Sequence, residues 1–134
     1  MEIRAISKSV RISPRKVRLV ADAIRNLSAI EAMHVLQSTD KQAAKPLMKA
    51  LRSAVANAIN NVGLDSKDLI VSTIMINQGQ VLKRFRPSTR GRIHPYKKRS
   101  SDIVIMVKSI ETKAAAPVVA EPVEAEVVKE KGKK

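Results

Sequence analysis

The chain of 134 residues has no cysteine and no tryptophan, and only one phenylalanine, one tyrosine and four glycines. Without cysteine there is no disulfide framework, no thiolate metal site and no cysteine nucleophile. A glycine-rich phosphate loop needs several glycines within about eight residues. Gly63, Gly79, Gly91 and Gly132 are each farther apart than that. Histidine is limited to His34 and His94, and the acids show no metal-ligand spacing. No metal and no cofactor is therefore expected. Ser13, Ser100 and Ser101 would serve as nucleophiles only with a base beside them, so an enzyme is the weakest functional reading. The longest apolar run, Leu69 to Ile76, is interrupted by Ser72 and Thr73. It falls far short of the about 20 residues that cross a bilayer. The opening residues, MEIRAISKSV, contain no apolar core of a secretory signal. The expectation is a soluble, intracellular chain with no membrane partner.

Acids are scarce as well: 12 Asp and Glu stand against 26 Lys and Arg, a net charge of +14. The excess is unevenly placed. Residues 112–134 hold five Lys and four Glu, whereas residues 1–111 hold 21 basic and 8 acidic side chains. Six cations (Arg4, Lys8, Arg11, Arg15, Lys16 and Arg18) lie in one acid-free segment. Eight more (Lys83, Arg84, Arg86, Arg90, Arg92, Lys97, Lys98 and Arg99) lie in a second. Packing like charges so densely is unfavourable unless a polyanion neutralises them. The plainer alternative is a solvated basic face or arm.

Residues 2–12 show a mixed alternation that reads as a strand. Ser13-Pro14 reads as a helix start, with Ser at the N-cap and Pro at the first helical position. Val17, Val20, Ala21, Ile24 and Leu27 then form one apolar stripe. Arg15, Arg18, Asp22 and Arg25 fall opposite, with Arg18 and Asp22 spaced as an i,i+4 pair. Ser28 and Glu31 form a capping box for a second helix, Ala29 to Gln37. A third is expected from about Lys41 to Asn61, closed by Gly63, with Leu47, Leu51, Ala54, Val55, Ala58 and Val62 as its stripe. Small side chains at Ala54, Ala56 and Ala58 would let another backbone approach. Pro46 is awkward there, since a helix-interior proline costs about 3 kcal/mol, so the helix starts late or kinks. Leu69–Asn77 and Ile103–Ile110 are β-branched runs expected as strands, apolar on both parities and so covered in part on both faces. Met33, Met48, Met75 and Met106 read as core filler. From Thr112 the composition turns to Ala, Val, Pro, Glu and Lys without a period, the mark of a disordered tail. The expected organisation is one domain over 1–111 and a tail over 112–134.

The two late strands pair naturally as a hairpin whose polar arms, about 78–102, continue past the apolar base for roughly 40 Å. A turn centred on Arg90-Gly91 would set Ile76 against Ile105, Met75 against Met106 and Phe85 against Tyr96. Such outer arms bury almost nothing, and a two-stranded ribbon is marginal in water. It is flexible when free or held by a polyanion. Phe85 and Tyr96 are the only aromatics. They either pair across the strands or stack on splayed RNA bases. Arginine suits bidentate phosphate contact and base stacking. Pro87 and Pro95 remove ladder donors, and Gly91 supplies positive φ at the tip.

Three blocks carry a family resemblance. They are Ile12 to Asp22 with Ile24-Arg25, Leu51 to Ala58 with Asn61, and the hairpin set Lys83-Arg84-Phe85-Arg86-Pro87, Arg90-Gly91-Arg92 and Lys97 to Ile103. In this order they resemble the L-twenty-two family of large-subunit ribosomal proteins, over about residues 2–110. The resemblance implies an α+β fold: a three-stranded antiparallel sheet packed on three helices, with a long protruding basic hairpin. It further implies a structural, non-enzymatic role, in which the chain binds large-subunit ribosomal RNA and aids its assembly. The tip, Thr89, Arg90, Gly91 and Arg92, would line the peptide exit tunnel. The implied partners are that RNA, neighbouring ribosomal proteins and the nascent peptide, with no homo-oligomer. The chain departs from the family pattern at Gly79-Gln80, Pro87-Ser88-Thr89 and Ser100-Ser101-Asp102-Ile103.

The runner-up reading is a DNA-binding regulator, with the first two helices as a helix-turn-helix. A recognition helix presents Arg, Lys, Asn or Gln to base edges. Ala29 to Gln37 offers only Glu31, His34 and Gln37, and the cations lie elsewhere.

Overall fold

The computed structural model of the chain describes residues 2–109. The tail expected over 112–134 lies outside the described residues. The elements run β1 (Glu2–Val10), α1 (Pro14–Asp22), α2 (Ala29–Ser38), α3 (Ala44–Val62), β2 (Leu69–Pro87) and β3 (Ile93–Ser109). The strands form one antiparallel sheet in the order β1-β3-β2. The class is α+β, as the resemblance implied.

The helices cover one face of the sheet. Ala5, Leu69, Val71, Ile74, Ile76, Ile103, Ile105 and Val107 are buried there against Val17, Val20, Ala21, Ile24, Leu36, Leu47, Leu51 and Val55. Each valine, leucine or isoleucine so taken from water contributes about 1.5–3 kcal/mol. The other face stays half open. Arg4, Ile6 and Met75 are exposed on it, with Val104 and Met106 half-buried. Met75 thus leaves the expected core, while Met33 and Met48 do pack against it. On α3, Ala54 and Ala58 are buried toward the sheet, but Ala56 is exposed on the opposite face and Val62 is exposed as the last residue of the helix.

Local sequence explains most helix ends. The capping box forms in both directions: the Glu31 N–H donates to Ser28 Oγ and the Ser28 N–H to Glu31 Oε2, each at 3.3 Å. α3 begins at Ala44, so Pro46 sits in its first turn, where the lost N–H has no intrahelical acceptor. Gly63 takes the left-handed conformation, φ 75°, and ends the helix. α1 stops at Asp22, short of the expected Leu27. The Asn26 N–H donates to the Val71 carbonyl and the Val71 N–H to the Leu27 carbonyl, at 3.2 and 3.0 Å. These bonds draw residues 23–27 out of the helix and onto β2, with Asn26 left-handed at φ 62°. Arg18 does not pair with Asp22. Its Nη2 donates to the Ile76 carbonyl at 2.8 Å, and Asp22 holds Arg25 at 2.9 Å instead.

The hairpin is one continuous ribbon, but its register differs from the expected one. Ile76 pairs with Ile103, Met75 with Val104, Phe85 with Pro95, and Tyr96 with Arg84. Three irregularities shift it. The tip is a short 3-10 turn, Thr89–Gly91, closed by the Ser88 N–H on the Arg92 carbonyl at 2.7 Å. Arg90 and Gly91 are both left-handed there, at φ 58° and 70°. Two bulges then add residues to β2: Gly79 and Gln80 oppose Ser100, and Ser72 is extra between Val71 and Thr73. Counting symmetrically from a two-residue turn cannot see an odd loop or a bulge.

Candidate nucleic-acid interface

Side chains alternate across a strand, and directly paired residues share a face. The observed register therefore sorts the outer ribbon into two unlike faces. Leu82, Arg84 and Arg86 share one with Lys98, Tyr96 and His94. Lys83, Phe85 and Pro87 share the other with Lys97, Pro95 and Ile93. Phe85 and Tyr96 thus point to opposite sides, and the cross-strand aromatic pair does not form. The Arg86 guanidinium lies 5.2 Å from the centroid of the Tyr96 ring, a cation–π contact within one face. Phe85 is 69% exposed and Ile93 62% exposed.

The two basic segments meet where the ribbon leaves the sheet. α1 starts beside the root, and Arg15 and Arg18, one turn apart, share a depression with Ser13, Pro14, Gln78 and Arg99. A neighbouring depression is lined by Arg11, Leu82, Arg84, Lys98, Arg99 and Ser100. Arg99 belongs to both. Arg90 and Arg92 stand at the tip with Thr89 and Gly91. The remaining cations point elsewhere. Arg4 lies on the open sheet face, Lys8 on the β1 edge, and Lys83 and Lys97 on the Phe85 side of the ribbon. Lys16 lines an apolar groove with Ile12, Leu19, Val20, Ala23 and Thr39.

Among the described residues the one ion pair is Arg25–Asp22, so no clustered cation has a carboxylate partner. Asp102, the acid nearest the root, is occupied. Its Oδ1 accepts the Ser9 N–H at 2.7 Å, in the bulge that ends β1 with Ser9 at φ 58°. On the other side of β3, Ser100 Oγ donates to the Gln80 carbonyl. Gly79 fills the space between: a Cβ there would lie 2.8 Å from Ser100 Oγ and 2.9 Å from Asp102 Oδ1. Sequence reasoning missed Ser9, Gln78, Gly79, Ser100 and Asp102 as builders of the root. A lone glycine in a strand pattern was the available signal, since it often marks a bulge.

Among the described residues no cluster of three or more His, Asp and Glu could hold a metal, and no helix is long and apolar enough to cross a membrane. α2, the candidate recognition helix of the DNA reading, contributes no cation to the basic surface. The geometry suits an extended polyanion that runs from the start of α1 along the Arg84–Tyr96 face.

A family model described as ribosomal protein L22p/L17e matches residues 5–108. The large ribosomal subunit protein uL22 of Mesoplasma florum is 50% identical over 107 residues, covering 80% of this chain and 96% of that protein. The protein of the same name from Clostridium novyi is 48% identical over 108 residues, covering 81% and 97%. That from Synechococcus is 46% identical over 115 residues, covering 86% and 93%. With one sheet, three helices and a basic ribbon in the expected order, and with relatives matched over nearly their full length, the chain belongs to the ribosomal protein L22p/L17e family.

Proposed function

We propose that this protein is a structural constituent of the large ribosomal subunit at work in the cytoplasm, not an enzyme. It binds large-subunit ribosomal RNA through the root and the Arg84–Tyr96 face, and it aids assembly by holding that RNA against its helices. The tip, Thr89 to Arg92, lines the peptide exit tunnel and meets the nascent peptide, while the helical body contacts neighbouring ribosomal proteins. The observation that carries the reading is the convergence of Arg11, Arg15 and Arg18 with Arg84, Lys98 and Arg99, none of them paired with a carboxylate among the described residues. Phosphate contacts supply affinity that needs no base sequence. The exposed Phe85 ring offers a platform for an unpaired base. Sedimentation tests the reading: the tagged chain should travel with large subunits. Travel with bulk DNA, or with neither, would overturn it.

A further inference from the structure

We propose that the depression at the hairpin root is a built phosphate cradle, in which Arg15 and Arg18 of α1 and Arg99 of β3 grip one phosphodiester of a single RNA strand. The proposal rests on the ribosomal RNA reading above and assigns a site within it.

The lining is Ser13, Pro14, Arg15, Arg18, Gln78 and Arg99. It holds three guanidinium groups, one amide and one hydroxyl, and no carboxylate. Arginine presents only donors, in a planar fork that matches two oxygens of a phosphate. Arg18 is already positioned. One of its five N–H groups is spent on the Ile76 carbonyl at 2.8 Å, which fixes the side chain across the gap between helix and sheet. The Ser13 hydroxyl makes no capping bond to α1 and is free to donate. The lining offers no aromatic ring, and its three guanidinium charges favour the anionic backbone over a neutral nucleobase. The adjoining depression shares Arg99 and is also rich in donors, with Arg11, Arg84 and Lys98. A strand with one phosphate in the first depression can place its next in the second.

The cradle also joins two parts of the chain. Arg15 and Arg18 belong to the helical body, whereas Arg99 and Gln78 belong to the arms at the point where β1 pairing ends. A phosphate held by both ties the ribbon to α1.

The test uses the full chain, with extracted large-subunit ribosomal RNA and a short oligouridylate as probes. Arg18→Gln should weaken binding to both about tenfold, the loss of a charge-assisted contact, and lower the slope of log affinity against log salt by about one. Arg18→Lys should lose nearly as much affinity, because an ammonium cannot hold the Ile76 carbonyl and present a fork together. Arg25→Gln, which removes a cation from the Asp22 pair, should bind as the unaltered chain does. Circular dichroism checks that each variant keeps its helices. Independently of any variant, oligouridylate added to the unaltered chain should shift the Arg15, Arg18 and Arg99 side-chain NMR signals, and inorganic phosphate should shift them only at far higher concentration. Full binding by Arg18→Lys would show that charge alone counts and would overturn the cradle. So would equal losses for Arg18→Gln and Arg25→Gln, or inorganic phosphate binding as tightly as the oligonucleotide. If the unaltered chain binds no ribosomal RNA, the broader reading falls and the cradle falls with it.

Discussion

The base and the outer arms of the hairpin are the same two strands, yet they are held by different forces. In the base, Val71, Ile74 and Ile76 pair with Val107, Ile105 and Ile103, and these six and Leu69 are buried under the helices. Beyond the Gly79 bulge the ladder continues from Val81–Arg99 to Pro87–Ile93, but no side chain in it is buried. Backbone bonds that compete with water contribute little net stability. The base is thus a folded core, and the arms are a ladder whose side chains are left for a partner. The same contrast separates the two kinds of charge. Asp102 is committed to the Ser9 backbone, whereas the clustered cations of the arms pair with no carboxylate among the described residues.

The largest expected effect strikes the arms. If six to ten of the fourteen clustered cations meet phosphates, affinity for ribosomal RNA should fall about a thousand- to a hundred-thousand-fold between about 50 and 200 mM salt. Filter binding across that range checks it, and a nearly flat profile would remove the basis for assigning the arms to RNA. A smaller effect, confined to the core, comes from Leu51→Ala or Ile105→Ala. Both side chains are fully buried, and truncation should cost about 2–5 kcal/mol in urea unfolding. Phe85→Ala, in the arms, should change stability by less than about 0.5 kcal/mol and show itself only in RNA binding.

Gly79→Ala probes the boundary. The added Cβ meets Ser100 Oγ and Asp102 Oδ1 inside 3 Å, and displacing them should cost about 1–3 kcal/mol. A neutral result would mean that the bulge is loosely built. Amide exchange of the free protein sharpens the contrast without any mutation. Residues 69–77 and 103–108 should be protected, and 84–98 should exchange freely. Strong protection of the arms without RNA would erase the distinction. Least expected of all is an effect on incorporation when Thr89 to Arg92 are deleted. Assembly into large subunits should stay near normal, because the root and the α1 cations remain, while passage of arrest peptides through the tunnel changes. Exclusion from subunits would make the tip an assembly element.

The legible parts of this fold are those set by neighbours in sequence. Ser28 and Glu31 name their own capping box, Gly63 names a helix end, and β-branched runs name strands. The acid-free segments are legible too, because charge density needs no register to be seen, and parts of the two meet at the hairpin root. What escaped depends on contacts between distant residues. Arg18 finds the Ile76 carbonyl rather than Asp22, and Asn26 is drawn to Val71 rather than into a helix. The aromatic pair failed for a related reason. A slip of one residue exchanges the faces of a strand, and the odd tip loop made that slip, with the Gly79–Gln80 bulge adding another only toward the base. Periodicity still placed Phe85 and Tyr96 in the right segment but could not place them on a side.

The central position of β3 also gives the molecule a mechanical direction. β3 runs unbroken from the tip side to Ser109, paired with β2 along the ribbon and with β1 from Ser101 onward. Ladder hydrogen bonds lie perpendicular to the strands. A pull on the tip along the ribbon axis moves β2 and β3 together and therefore loads the β1–β3 ladder in shear, where its bonds must fail together. A pull across the axis bends the two arms, which no third strand braces until β1 joins at Ser101. The hairpin is stiff as a tether and weak as a lever.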